Sequence, residues 1–454
     1  GKAGIVMPHG ILFRGNAEEI IRKNLLKTRY IKGIISLPQN LFYGTGIPAC
    51  LVFIDKENAE IRENIFFIDA SGGFKKDGNK NRLREQDIER IVRVYEAQQE
   101  ISGYSRLVSY SEILEDNDGN MNVPRYIQKI DDTLPQNIEA HLHGGIPEHD
   151  VESLNKIWKI SPSLKEKIFE RIDGNKFRLV IALDEIEKIF EDDKALRAQK
   201  IKESAGIFNA WKNEARELLL NIDENTNPKK LIRELGDMIL SCYENSLIVD
   251  KYSVFDCLMN YWNEILQDDV YIIKSSDYEA GREVSFQYDK KGKVKDFDGE
   301  LIPRGIIERK YFKNDADEIE LLLEKIKNLE AEIEDLSEEE KDENDELSPE
   351  ALKIIRKKEN EIKNLSQQSR KLQRELDEAV LKKYENLSVD EIKNLLFNEK
   401  WTARLQQDIN NEVDSVLNSS VSRLVMIAER YSRTLSEIEN DTEKSRGAVN
   451  LALK

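Results

Sequence analysis

Residues 31–55, IKGIISLPQNLFYGTGIPACLVFID, constrain the fold more than any other stretch. IKGII is rich in β-branched residues and stopped by Pro38, and ACLVFI is an unbroken apolar run closed by Asp55. Runs of this kind predict strands covered on both faces. The loop between them is too short for a helical crossover, so the second strand is expected to return antiparallel. In open α/β sheets ligands bind beyond the carboxyl ends of strands, and Leu41, Phe42, Tyr43, Gly44, Thr45 and Gly46 lie beyond such an end. That loop is a candidate site.

Upstream, AGIVM (3–7) reads as a strand stopped by Pro8, and NAEEIIRKNLLK as a helix. Asn16 with Glu19 predicts a capping box worth about 1 kcal/mol, and Lys23 and Lys27 suit the helix's negative end. With the strand at 31–35 this makes a βαβ unit, expected to be right-handed. IFFIDA (65–70) is expected as a further edge strand, and SGGFKKDGNKNR as a polar connector. Ile88, Ile91, Val92 and Tyr95 predict a helix over 86–98, followed by a short helix and a turn before NVPRYI. EAHLHGGIPEHD holds His141, His143 and His149. An HxH pair chelates only when extended, and no Cys or carboxylate completes the set at a usual spacing, so a plain loop without metal is expected.

From 150 to 312 the pattern is mainly helical, with starts at Ser161-Pro162 and Asn227-Pro228. Phe255, Leu258, Met259, Trp262, Ile265 and Leu266 form an apolar stripe, read as core packing, and VSFQYDKKGKVKDF a hairpin turned at Lys291-Gly292. Ile319, Leu322, Ile326, Leu329, Ile333 and Leu336 step as a heptad seam, resumed at Ile355, Ile362, Leu365, Leu372 and Leu376 after SEEEKDENDELSP. An intrachain antiparallel coiled-coil hairpin is the preferred reading. Ser388 with Glu391 caps a further helix, and Leu405, Ile409, Val413, Leu417, Val421, Leu424 and Ala428 mark one long amphipathic helix that needs a partner surface. The expected divisions are 1–70, an α/β sheet; 71–149, a connector with short helices; 150–313, a helical domain with a small hairpin; 314–384, the coiled-coil hairpin; and 385–454, terminal helices.

The net charge of -18 is uneven. Residues 315–350 carry 17 acids against 3 bases, whereas the first fifty residues carry seven Lys or Arg against Glu18 and Glu19. A locally basic surface therefore survives an acidic total, and nucleic acid is not excluded as a partner. No apolar run approaches the roughly 18 residues of a membrane span, so a soluble chain with no membrane partner is expected. Cys50, Cys242 and Cys257 lack CxxC spacing, which fits a reducing cytoplasm. The chain opens on a strand at Gly1, without an initiator Met, and is read as a fragment whose exposed sheet edge pairs or self-associates.

No P-loop, H-E-x-x-H motif or nucleophile elbow is present, so no complete active site is visible. The Gly44-Thr45-Gly46 triplet is too short for a dinucleotide fingerprint. Phe42 and Tyr43 beside a basic surface are suited to stacking a planar base, worth about 1–3 kcal/mol per base. Core packing accounts for Phe42 equally well.

GKAGIVMPHGILFRG, IIRKNLL, ISLPQNLFYGTGIPACLVFI, FIDAS and NVPRYI together resemble the modification (M) subunit of type I restriction-modification systems, an adenine-N6 DNA methyltransferase. HLHGGIP, DKYSVFDCLMNYWNEILQDDVYII, the acidic heptads and LKKYENLSVDEIKNLLFNEKW resemble the long variant of that subunit, extending the likeness over nearly the whole chain. The resemblance implies a Rossmann-like sheet of which residues 1–70 are the distal half, with S-adenosylmethionine as cofactor. It also implies a catalytic N-P-P-F/Y loop in which Asn and a Pro carbonyl accept hydrogen bonds from the adenine amine. This sequence has no Pro-Pro pair and no cofactor loop, so both are expected upstream and the chain alone is expected to be inactive. Phe42 matches the aromatic that meets the flipped base, with Tyr43 as its neighbour. His9 and Arg14 are candidates for phosphate contact or loop ordering. The implied partners are double-stranded DNA, the specificity (S) subunit, a second M subunit and restriction (R) subunits. Two other readings stand beside this one: a scaffold built on the coiled coil, and a methyltransferase for RNA or protein.

Overall fold

In the computed structural model, which describes residues 1–128, 136–339 and 348–452, the chain forms two compact units. The first comprises residues 1–211, 236–260 and 408–454, and the second residues 212–235 and 261–407.

The first unit opens with β1 (Lys2–Pro8), α1 (Ala17–Lys27), β2 (Ile31–Ser36) and β3 (Ala49–Asp55). β3 pairs antiparallel with β2, as the short loop requires, and also with β1. β1 and β2 are thus parallel but not adjacent, because β3 lies between them. β4 (Asn64–Asp69) runs parallel to β2. It is interior, not the edge strand expected at 65–70, since β7 (Ser105–Ser109) pairs beyond it to give the order β1-β3-β2-β4-β7. The complete burial of Ile65, Phe66, Phe67 and Ile68 accords with that position.

Period-two alternation divides these strands between two cores. Ile34, Val52, Phe67 and Val108 face Leu12 and Leu26. Ile35, Phe66 and Ile68 face Ile91 and Val94 of α2 (Glu85–Ala97). Gly33 permits that second layer, because a Cβ there would lie 2.5 Å from the Tyr95 ring. Tyr95 accordingly packs 4.7 Å from Phe53 and 6.2 Å from Phe66, centroid to centroid.

Three local expectations are corrected. Asn16 forms no capping box, because its backbone sits at φ 59° and its side chain makes no cap bond; Glu19 bonds Lys23 instead. The polar connector contains a hairpin of β5 (Lys75–Asp77) and β6 (Lys80–Arg82). The histidine segment is not a plain loop, for Ile138–His143 is helical, capped by the Asn137 side chain on Ala140 N. His141 stacks 5.0 Å from Tyr431. Strands Ile146–Pro147, Phe169–Asp173 and Lys176–Leu179, absent from the sequence reading, form a small sheet over a core that includes Trp158, Phe190, Leu424 and Tyr431.

In the second unit, Val284–Tyr288 and Val294–Gly299 form the expected hairpin, with Gly292 at φ 73°. Helices Lys313–Glu339 and Pro349–Glu385 pack together. Lys358 pairs with Glu332, while Ile319 and Leu376 wall one cleft, so the helices run in opposite directions. Ile319, Leu322 and Ile326 are buried, and so are Ile355 and Leu376. Most of the acidic insert at 337–349 lies outside the described residues. Ser388 and Glu391 form their capping box.

Candidate functional site

β1 and β2 run the same way, which brings their carboxyl ends to one edge of the sheet. Leu37 N donates to Ala49 O at 2.9 Å and His9 N to Pro48 O at 3.2 Å, closing the base of the 37–48 loop. His9 Nε2 lies 3.1 Å from Ser36 Oγ. Burial pushes the His9 imidazole below its ordinary value, against the opposing influence of the Ala49 backbone and Asp69. At neutral pH the ring is therefore uncharged, suited to holding Ser36 rather than to attracting phosphate. Arg14 is exposed, 3.7 Å from Glu18, and its carbonyl accepts from Arg22 Nη1 at 2.9 Å.

The loop sets Phe42 and Tyr43 at the edge of a cleft of about 730 Å³ walled by Leu51 and Phe53 of β3 and by Ile88, Val92 and Tyr95 of α2. Tyr43 is 94% exposed and Phe42 39%, a large residual exposure for an aromatic beside an apolar wall. Neither His9 nor Arg14 lines this cleft. The structure thus brings Phe42 and Tyr43 together and leaves the other two candidates at the loop base and on the surface beyond.

What holds the loop is the β5–β6 hairpin. Asn81 Nδ2 donates to Gln39 O at 2.7 Å, Asn81 N to Asn40 O at 3.0 Å, and Lys80 Nζ to Phe42 O at 2.9 Å. Thr45 Oγ1 accepts from Ile47 N at 3.1 Å, and Gly44 turns at φ 79° with open space around its missing side chain. Lys80 and Asn81 therefore set the height of the aromatic pair, a role that sequence reasoning missed. The signal was the Gly-Asn step in KKDGNKNR: the two-residue turn Gly78-Asn79 has Gly78 at φ 57°, as a turn with glycine first demands.

Among the described residues no group of three or more His, Cys, Asp or Glu could hold a metal ion, and no helix is long and apolar enough to cross a membrane. β1 leads through Pro8 into a short 3-10 turn, His9–Leu12, in which His9 is bonded to Ser36 and the space over Gly10 is filled by the Arg14 guanidinium, 2.5 Å from where a Cβ would stand. S-adenosylmethionine consequently has no fitting cradle there, and no chemical step can be assigned to it through these residues.

Residues 1–133 match the family model described as N-6 DNA Methylase. The chain is 41% identical over 135 residues to the type I restriction enzyme MjaVII methylase subunit of Methanocaldococcus jannaschii, covering 29% of this chain and 23% of that protein. It is 35% identical over 177 residues to the type I restriction enzyme MpnII methylase subunit of Mycoplasma pneumoniae, covering 38% and 32%. The crystal structure of the type I restriction-modification system methyltransferase subunit from Streptococcus thermophilus is 42% identical, covering 28% of this chain and 27% of that one, with a TM-score of 0.27. The chain thus spans 23 to 32% of the length of these curated relatives. Through residues 1–133, this chain is related to the N-6 DNA methylase family and to the methylase subunits of type I restriction enzymes.

Proposed function

We propose that the chain is the distal part of a type I modification subunit that methylates adenine N6 in DNA, and that Phe42 is its contact to the flipped base. The observation that carries this reading is an aromatic pair standing at the carboxyl end of β2, in a segment matching the N-6 DNA methylase family. Stacking on Phe42 offsets part of the cost of extruding the adenine, with Tyr43 beside it and the β5–β6 hairpin fixing the loop. His9 orders the loop base through Ser36. The methyl donor S-adenosylmethionine and the N-P-P-F/Y loop belong, in this reading, to sequence outside the 454 residues. The sheet of residues 1–70 is then the distal half of a Rossmann-like methyltransferase sheet. The helix pair at 314–384 is an antiparallel coiled coil that, with the terminal helices, meets the specificity subunit or a second modification subunit on DNA. Restriction subunits join that complex, in the cytoplasm.

The test is methyl transfer to a DNA duplex by the complete modification complex. Phe42→Ala is expected to lower kcat/KM about 10- to 100-fold, the equivalent of about 1–3 kcal/mol of lost stacking. The deficit should shrink when the target adenine is mispaired, because a mispaired base costs less to extrude. The 454-residue chain alone should transfer no methyl group. Wild-type rates in Phe42→Ala, with unchanged partner binding, would instead favour a scaffold whose sheet is only structural.

A further inference from the structure

A second cavity, of about 820 Å³, lies in the first unit where β4 ends and α2 begins. It shares no lining residue with the Phe42 cleft, so a ligand bound in it is independent of base contact by Phe42. Three carboxylates and three cations face it: Asp69, Asp87 and Asp250 against Arg84, Arg90 and Lys156. The carboxylates are engaged within the fold. Asp69 accepts from Ser71 N at 3.0 Å, and Asp250 from Tyr252 N at 2.8 Å. Asp87 takes two bonds from the Arg84 guanidinium, at 2.9 and 3.0 Å, so Arg84 is engaged as well.

Arg90 differs from Arg84. Its guanidinium carbon lies 4.3 Å from the centre of the Tyr104 ring and 5.9 Å from that of Tyr252, while its Nε is buried without a hydrogen-bond partner among the described residues. Aromatic faces attract a guanidinium through its flat side and leave its donor edge unsatisfied. A donor on a charged group calls for an acceptor, and among the described residues the Arg90 guanidinium forms no hydrogen bond to a carboxylate of this cavity. Lys156 stands exposed on the rim and bonds no acceptor among the described residues.

We infer that this cavity binds a phosphate group, gripped by the planar fork of Arg90 and neutralised further by Lys156. An arginine fork meets two oxygens of one anion, and a second cation lining the same cavity suits a tetrahedral group with oxygens on several sides better than a flat carboxylate. The phosphate comes from a nucleic-acid backbone or from a free nucleotide.

Calorimetric titration of the 454-residue protein with inorganic phosphate, adenosine 5′-phosphate and a short DNA duplex tests the assignment. The expected result is saturable binding, weakened tenfold or more in Arg90→Gln and severalfold in Lys156→Gln. A duplex that displaces inorganic phosphate places the site on a nucleic-acid backbone, and the slope of log affinity against log salt should then fall by about one for each cation removed. Nucleotide binding with no response to duplex identifies a free nucleotide. Absence of saturable binding by all three probes overturns the assignment, as do unchanged affinities in both variants. Should Arg90→Gln fail to fold, Lys156→Gln decides alone, since an exposed lysine is dispensable for packing.

Discussion

Glu203→Ala is expected to destabilise the first unit by about 3–5 kcal/mol, because it strands several buried donors at once. Glu203 is fully buried. Its carboxylate accepts from Leu247 N at 2.8 Å, Ile248 N at 3.0 Å and Val249 N at 3.1 Å, with further bonds from the Ser246 hydroxyl and from Gln199 Nε2. The segment that joins helix Pro228–Cys242 to the helix beginning at Lys251 has amides with no strand or helix to pair them, and one carboxylate serves three of them. Burial by itself pushes the Glu203 carboxyl up. The bonds from Ser246, Gln199, Ile248 and Leu247 outweigh it and hold the group below its ordinary 4.5. A folded-state value below the unfolded one means that the folded protein binds fewer protons between them. The contribution of Glu203 is therefore complete above pH 4.5 and is lost as pH falls through the folded value. Hydrogen exchange at residues 247–249 reads this locally, which matters in a two-unit chain where a single melting temperature mixes events. Exchange in Glu203→Ala as slow as in wild type would refute the expectation.

Lys400→Met should cost the second unit a similar amount, about 3–5 kcal/mol, with the opposite pH dependence. Asp269 is 3% exposed and accepts from Lys400 Nζ and from Trp401 Nε1, each at 2.7 Å; the ammonium also donates to Leu301 O at 2.7 Å. Burial holds the Asp269 carboxyl above its ordinary 3.8, against the pull of Lys400 and Trp401. For a carboxyl raised in the folded state the sign reverses: charged Asp269 disfavours the fold above its folded value, and protonation relieves the penalty as pH falls. Removing Lys400 strips the buried charge of its partner, so Lys400→Met should regain stability on acidification, whereas the contribution of Glu203 is lost there. Combining Lys400→Met with Asp269→Asn should recover much of the loss, because the uncompensated charge goes with its partner. Denaturant titration of the single and double variants at pH 7 and pH 5 measures both effects. A double variant no more stable than Lys400→Met would argue that packing, not charge, dominates the site.

Much of this architecture was legible from local pattern. ACLVFI and IKGII became paired antiparallel strands because continuous apolar runs across a short loop have few alternatives. The seams at 319–336 and 355–376 became two packed helices because heptad spacing specifies a face regardless of context. Gly292 turned the late hairpin since only its φ of 73° was required. Asn16 failed as a cap for the converse reason: a capping residue offers about 1 kcal/mol, and tertiary constraints on the approach to α1 override it.

Phe42 and Tyr43 were named from sequence, but their setting was not. Asn81 reaches Gln39 across 42 positions of chain, and Lys80 reaches Phe42 across 38, distances over which no periodicity carries information. β4 reads as an edge from sequence alone because its partner β7, with the short run Ser105–Ser109, gives a weak signal of its own. Glu203 and Asp269 read as ordinary charged residues in helical stretches until the fold enclosed them. What the sequence determined by itself is which segments are strands and helices and which faces they bury, because period and apolar content are local properties. What the tertiary structure decided is which polar groups are shut away from water together, and so where a carboxylate braces a loop, where an arginine is left facing an open cavity, and what holds an aromatic pair at the end of a sheet.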